Sequence, residues 1–496
     1  MTSPYASVAP LLGTAPSWIG NTDEATRIMS YTLYEDIYWN VPDSFKLVMR
    51  GDDESPIYLP TARKIVEATH RFLAVNFDFV VNDKVGTSGE QAALELIMRA
   101  LFKREEVYAK VTTQKRYGLI KGDALWHITA DPGKTLGSRI AMHELDPNMY
   151  FPIHDEDNPD RVIGCHIAKL VPDPKDKNKS VVRRQTYRKA DNSRITSELA
   201  LFEVAKWDDR FGNEVKRTKD LVAEFELPEQ ITTIPVYHIK NNRVPGEPFG
   251  SSQLRGIETI LGGMNQSISD QAYTLAMQGL GVYVTTAGPP IDAEGNEGSI
   301  EMGPGRAIEI GEDEDFKRVS GVGSVAPFLD HIGYLDEAAR TALGIGDLAA
   351  GKVEVSVAES GISLRLQLAP LLAANAEKES ELLGKYDHLF FDLSRGWLPA
   401  YEEFSGGLAE VASVVGDPLP VNREAEIEEA RSLFSDSLIT FDMLVDVLAK
   451  HGYVFPENAR QAVLGDAEEF GAVRNPDPFG ARLDTEGEDS GNTDEE

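Results

Sequence analysis

The chain has 496 residues, 42% of them hydrophobic and 26% charged, with a formal net charge of −32 and one cysteine. That length corresponds to about three domains with a sizeable core, and the lone Cys165 excludes an intrachain disulfide and fits a cytosol-like compartment. The acidic balance excludes a whole surface built to grip DNA phosphates, since such binders are basic, but it is compatible with a wall along which DNA slides.

No apolar run of about 18 residues predicts a transmembrane helix, and the N-terminal MTSPYASVAPLLG lacks the features of a secretory signal. Asn21 and Glu24 suit a capping box for a helix reaching about Tyr38, with Tyr31, Tyr34 and Tyr38 in one stripe expected in a core or subunit contact. Further helices are predicted over about Thr61–Leu73, Ser88–Phe102 and on to about Tyr117.

From Ala124 to His238 the texture becomes short β-type runs (ALWHITA, SRIAMHEL, RVIGCHIAKLV, SVVRRQTYR, LALFEVA, TTIPVYHI) separated by Asp-Pro and Asn-Pro turns. This predicts an antiparallel meander. The basic stretch from Lys175 to Lys189 reads as a solvated hairpin with charged edge strands.

Gly250-Ser251-Ser252 then opens a helix ending near Gly279, with Ser251 or Ser252 as N-cap. GVYVTT, an acidic loop and a hairpin of SIEM with RAIEI around Gly303-Pro304-Gly305 follow, and GEDEDFKR reads as a charged lead into a second helix over about Val325–Leu343. GIGDLAAGKVEVSVAESG predicts an exposed, mobile loop. A helix from Ile362 to Phe404 follows, and Pro370 inside it removes a hydrogen bond and predicts a kink. A final helical module spans about Arg423–Phe470, with a cap at Thr440, and the tail DTEGEDSGNTDEE, with seven acids and no base, predicts disorder.

Catalytic signatures are missing or incomplete. DPGKT, Asp131–Thr135, ends like a P-loop, but Ile128 stands where its first glycine belongs and the segment reads as a hairpin turn. Gly321, Gly323 and Ala326 fit G-x-G-x-x-A without the required βαβ unit. His154, Asp155, Glu156 and Asp157 run into a turn with no second ligand pair at metal-site spacing. Cys165, mid-strand beside His166, reads as a buried structural thiol. No catalytic residue, cofactor or metal is assigned, and the chain is expected not to be an enzyme.

Three stretches carry a resemblance. They are IPVYHIKNNRVPGEPFGSSQL with Asn241, Asn242, Gly250 and Ser251; LRGIETILGGMNQSISDQAYTLAM with Asn265, Ser269 and Asp270; and VSVAESGISLRLQLAPLL. In this order and spacing the chain resembles the portal proteins of tailed double-stranded DNA bacteriophages, of the long-tailed branch. The resemblance covers about Thr61 to Phe470 and implies an α+β ring subunit with a helical stem, a β-rich wing and clip, and a helical crown.

By that resemblance residues 1–250 are wing, 251–278 the first stem helix, 279–323 the clip and 324–345 the second stem helix. Residues 346–361 are the tunnel loop, 362–422 the long helix kinked at Pro370 with its return to the wing, 423–472 the crown and 473–496 an acidic tail. The loop residues Lys352, Val353, Glu354, Val355 and Ser356 are expected to face the DNA channel, with Lys352 as the lone base against Asp347, Glu354 and Glu359. The resemblance further implies a homo-oligomeric ring, a dodecamer in the virion, at one capsid vertex. It would serve DNA packaging, retention and genome ejection. Its partners would be double-stranded DNA, the terminase large subunit, major capsid and scaffolding proteins and a head–tail adaptor, with host cytoplasm as the site of assembly and no membrane. Two other readings compete: a carboxylate-rich, metal-dependent hydrolase or nuclease, and another virion ring or minor head protein.

Overall fold

In the computed structural model the described residues are 22–49, 55–82, 84–155, 157–158, 161–173, 176, 179–190, 194–206, 214–280, 282–286, 315–319, 326–351, 361–404, 409–418, 423–436, 438–450 and 453. They form an α+β structure in which the chain divides into two compact units, Met1–Pro418 and Leu419–Glu496.

The first unit begins with four helices, α1 (Thr22–Trp39), α2 (Thr61–Arg71), α3 (Ser88–Arg104) and α4 (Val107–Lys121). A capping box fixes the start of α3: the Thr87 hydroxyl accepts from the Glu90 amide at 3.3 Å, and the Glu90 carboxylate accepts from the Thr87 amide at 2.8 Å. α4 ends at Gly122, whose φ of +97° is a left-handed value that favours glycine. Asn21 of the expected capping box on α1 lies outside the described residues.

A three-stranded antiparallel sheet follows from α4. β2 (Asp123–Ala130) lies between β3 (Ile140–Leu145) and β9 (Val236–Lys240). Asp131–Thr135 falls in the β2–β3 turn, where the Asp131 carboxylate accepts from the Gly133 amide at 2.9 Å. Five further strands form a sequential antiparallel meander: β4 (Tyr150–His154), β5 (Val162–Pro172), β6 (Ser180–Lys189), β7 (Ile195–Lys206) and β8 (Glu214–Glu226). A short ribbon pairs β1 (Asp78–Val81) with β12 (Val411–Val414).

The basic strand is not an edge. β6 pairs on both sides, with β5 and with β7, and Arg184 is buried. Arg184 is tolerated there because Glu198 accepts from its guanidinium at 2.8 Å and its planar group lies over the Phe202 ring at 4.7 Å. The meander also holds two strands that the sequence pattern hid. Pro152 interrupts β4, and the charges of EVKRTKD mask β8.

Beyond β9 come α5 (Glu258–Leu280), a ribbon of β10 (Val282–Thr285) paired antiparallel with β11 (Phe316–Val319), and α6 (Ala326–Thr341). FKRV is therefore a strand, not simply a charged lead into the helix. The predicted SIEM–RAIEI hairpin and Gly321 and Gly323 lie outside the described residues. The long helical run is α7 (Gly361–Asp392), a π-helical turn (Leu393–Trp397) and α8 (Leu398–Tyr401).

α7 is fastened to the sheets by aromatic rings. Tyr386 and Phe390 are buried against Phe77, with ring centroids at 4.5 and 6.4 Å, and the Trp126 indole donates to the Tyr386 hydroxyl at 2.9 Å. Each such ring contributes about 1.5–3 kcal/mol on burial. In the second unit, α9 (Arg423–Ser435) and α10 (Phe441–Lys450) meet through Phe434 and Phe441, and the Thr440 hydroxyl caps α10 by accepting from the Met443 amide at 3.3 Å.

Candidate functional site

Asn241, Gly250 and Ser251, from the first stretch quoted for the resemblance, meet at one joint, where the chain leaves β9 and enters α5. The Asn241 amide donates to the Gly122 carbonyl at 2.8 Å, and the Ser251 amide donates to the Asn241 carbonyl at 2.7 Å. The Gln253 amide reaches the Leu119 carbonyl at 2.8 Å, and the Asn241 side chain donates to the Ser251 carbonyl at 2.8 Å. The two strands of chain cross so closely that a Cβ on Gly250 would overlap the Gly122 carbonyl and the Asn241 backbone. Gly250 is thus a contact requirement, not a helix opener.

α5 accordingly starts at Glu258, not at Ser251 or Ser252. Ser252 is buried and accepts from the Leu254 amide at 3.0 Å within a turn, and Gly256 at φ +93° completes the turn before the helix.

A buried carboxylate holds the joint. Asp123 accepts from the Tyr31 hydroxyl, from the Gly250 amide at 2.8 Å and from His238 Nε2 at 2.6 Å. Burial pushes the Asp123 carboxyl up, but His238, Tyr31 and the Gly250 amide outweigh it and hold the group below its ordinary value. Burial and the neighbouring carboxylate push Tyr31 well above the ordinary phenol. The tyrosine stripe is core: Tyr31, Tyr34 and Tyr38 are all buried, and their hydroxyls reach Asp123, Glu258 at 2.7 Å and Glu67 at 2.7 Å. One helix face thereby ties α1 to β2, α5 and α2. Asp123 itself was missed in the sequence, although an acid opening an apolar strand directly after a glycine is the signal that could have found it.

α5 is amphipathic in an unusual sense. Leu261 and Met264 are buried, and so are Asn265 and Ser269. Asn265 Oδ1 accepts from the Leu59 amide at 2.8 Å, Ser269 Oγ from the Ile57 amide at 2.9 Å, and Gln266 exchanges hydrogen bonds with the Val48 amide (2.7 Å) and carbonyl (3.0 Å). These side chains replace a neighbouring strand for the extended segment before α2 and satisfy its backbone. α5 and α6 pack together, with Gly263 against Leu335, whereas Leu275, Leu329 and Tyr334 remain exposed.

After α6 the chain turns back on α7. Arg340 is buried between Asp336 (2.9 Å) and Asp347 (2.5 Å), and Ile345 and Ala349 are buried. The first part of the expected mobile loop is therefore folded. A Cβ on Gly346 would stand 3.1 Å from the Gln367 carbonyl, and one on Gly344 would stand 3.4 Å from the Pro370 carbonyl. Pro370 lies inside α7 with its side chain exposed, at the turn that receives this segment. Lys352, Val353, Glu354, Val355 and Ser356 lie outside the described residues.

Other residues flagged in the sequence are structural. Cys165 is fully buried, and burial raises its thiol well above the ordinary value, which makes it a poor nucleophile. Asp155 accepts from Arg161 at 3.3 Å and from the Asp157 amide at 3.0 Å, within the β4–β5 turn. Among the described residues no group of three or more His, Cys, Asp or Glu is placed to hold a metal ion, and no helix is long and apolar enough to cross a membrane.

No protein-family model matches the chain, and no curated protein matches it. Among solved structures it is similar to a chain of the neck of an empty gene transfer agent (GTA) particle computed with C6 symmetry, at 13% identity and a TM-score of 0.44, covering 78% of this chain and 90% of that one. A second is the neck of a native GTA particle computed with C12 symmetry, at 12% identity and a TM-score of 0.40, covering 76% and 91%. A third is the virion of a native GTA particle, at 11% identity and a TM-score of 0.40, covering 92% and 99%.

Proposed function

We propose that this chain is the subunit of a portal-type ring, a conduit for double-stranded DNA at one vertex of a phage-like capsid. The observation that carries the reading is the run from α5 to α7. Two packed helices are anchored at one end in a β-rich body and joined at the other by a two-stranded ribbon, and the chain then turns back onto a long helix containing Pro370. In this reading α5 and α6 form the stem, residues 279–323 the clip, residues 346–361 the tunnel loop, and residues 423–472 the crown.

The ring closes through one heterologous interface repeated by rotation, with twelve members expected. The exposed Leu275, Leu329 and Tyr334 on the two stem helices suit an arm that neighbours cover. The subunit performs no catalysis, and the packaging motor is a separate chain. The clip serves the terminase large subunit and later the head–tail adaptor, while the body meets the major capsid and scaffolding proteins. In the loop, Lys352 supplies one weak cationic contact per subunit, so that DNA slides past an acidic wall without being gripped.

Negative-stain electron microscopy of the purified protein tests this. A hollow ring with a narrow stem is the expected outcome. A compact monomer that cleaves DNA with magnesium rejects the reading in favour of a metal-dependent nuclease.

A further inference from the structure

A groove of about 840 Å³ runs between α1, α2 and α4 and is bordered by Ala349 and Ala350 of the segment after α6. Its acids are already occupied. Glu67 accepts two bonds from Arg116, at 2.9 and 3.2 Å, and one from Tyr38. Burial acts to raise its carboxyl, but these bonds prevail and hold it at about 2. Glu35 faces the buried Lys121 at 3.0 Å.

Three groove cations are left over. Arg63, Lys64 and Arg71 are exposed and have no ion-pair partner among the described residues. Lys64 and Arg71 stand two turns apart on one face of α2 and Arg63 lies beside that face, a quarter-turn round, so three like charges border the groove without a counter-charge among the described residues. Arg63 lies over the Trp39 ring at 5.6 Å, and Trp39 is 58% exposed. A basic groove with an exposed indole at its rim fits a protein partner that brings acidic and apolar side chains together.

The chain itself offers the complementary surface. β8 is the outermost strand of its sheet, and at its end Leu221, Val222 and Phe225 are exposed on both faces at 53%, 54% and 48%. Glu224 and Glu226 are exposed between and beside them, Glu226 also accepting from the exposed Arg194 at 3.2 Å. Copies that each carry a net charge of −32 repel, so a repeated heterologous interface needs a basic face to meet an acidic one. We propose that the α1–α2–α4 groove of one copy docks the acidic, apolar end of β8 of a second copy. This rests on the ring reading and names an interface for it.

The test compares the wild type with R63E/K64E/R71E, with E224K/E226K and with the variant combining both sets, by native mass spectrometry and negative stain. Each separate variant is expected to reduce the ring population at least tenfold at a subunit concentration that gives rings for the wild type, and the combined variant to restore rings. All substituted groups are exposed and the contacts they lose, Arg194–Glu226 and Arg63 over Trp39, are surface ones, so circular dichroism melts should shift little, and the neutral R63Q/K64Q/R71Q should weaken assembly less than the charge reversal. Raising salt from 0.1 to 1 M should dissociate wild-type rings, because screening tightens from about 10 to 3 Å. Rings formed by the wild type and equally by R63E/K64E/R71E overturn this interface and leave the ring reading standing. Rings that persist while the triple variant loses retention of a random-sequence duplex assign the groove to nucleic acid instead. A wild type without rings overturns both.

Discussion

Replacing Gly250 by alanine probes the joint on which α5 is mounted. A Cβ there overlaps backbone atoms of Gly122 and Asn241, which cannot swing aside as the end of a side chain could. The crossing must open, and four hydrogen bonds donated by backbone amides lie across it: Asn241 to Gly122, Ser251 to Asn241, Gln253 to Leu119, and the Gly250 amide to Asp123. At about 1 kcal/mol net per bond, Gly250→Ala should cost about 4 kcal/mol, with more if the buried Asp123 is left short of a donor. Gly246 is the matched control. Its φ is +80°, but a Cβ there has nothing within 4 Å, so Gly246→Ala should cost about 1 kcal/mol, the left-handed penalty less the gain from a stiffer unfolded chain. Urea denaturation of both variants gives the comparison. A Gly250→Ala cost no larger than that of Gly246→Ala would falsify the steric account of the joint.

Removing the side chains with which α5 holds the segment before α2, in Asn265→Ala/Ser269→Ala, should cost about 1 kcal/mol per lost bond. It should also speed hydrogen exchange at the Ile57 and Leu59 amides, and unchanged exchange there contradicts the capture of that segment by α5. Acid should destabilise the fold through two buried histidines. Burial, with nearby cationic groups, lowers His127 and His166 to about 3 from an ordinary 6.5. Between those values the unfolded chain binds protons that the folded chain does not, so this stability is complete above pH 6.5 and is lost as pH falls towards 3. At pH 5 each histidine should cost about 2 kcal/mol, measurable as a drop in urea midpoint that His127→Gln/His166→Gln largely removes. Deleting Gly351–Ser356 should leave assembly intact and alter DNA packaging and retention; unchanged packaging and retention argue against a channel role for that loop.

Helix spacing made α2, α3, α4 and α6 legible to within a few residues, because one apolar stripe per helix is a local signal, whereas the start of α5 was placed about two turns too early. Most of the antiparallel strands between Ala124 and His238 were legible from alternating residues bounded by Asp-Pro and Asn-Pro turns, but the single meander expected there is two sheets, because β9 returns to pair with β2. β8 and β11 were not legible, since charged residues on strands with exposed faces erase the alternation. The edge position assigned to β6 failed because pairing on its second side comes from β7, and only that contact supplies the Glu198 that makes a buried Arg184 affordable.

The amino-acid sequence alone therefore determined the class and order of elements, the acidic character, and the glycine, asparagine and serine residues that mark the route into α5. Their roles were decided by the tertiary structure. Gly250 is needed because Gly122, 128 residues earlier, passes within contact of it, and Asp123 matters because Tyr31, His238 and Gly250 meet there. Such positions carry no local periodicity. Their constraint is a distance between parts of the chain that are remote in sequence, and it exists only once the core has closed.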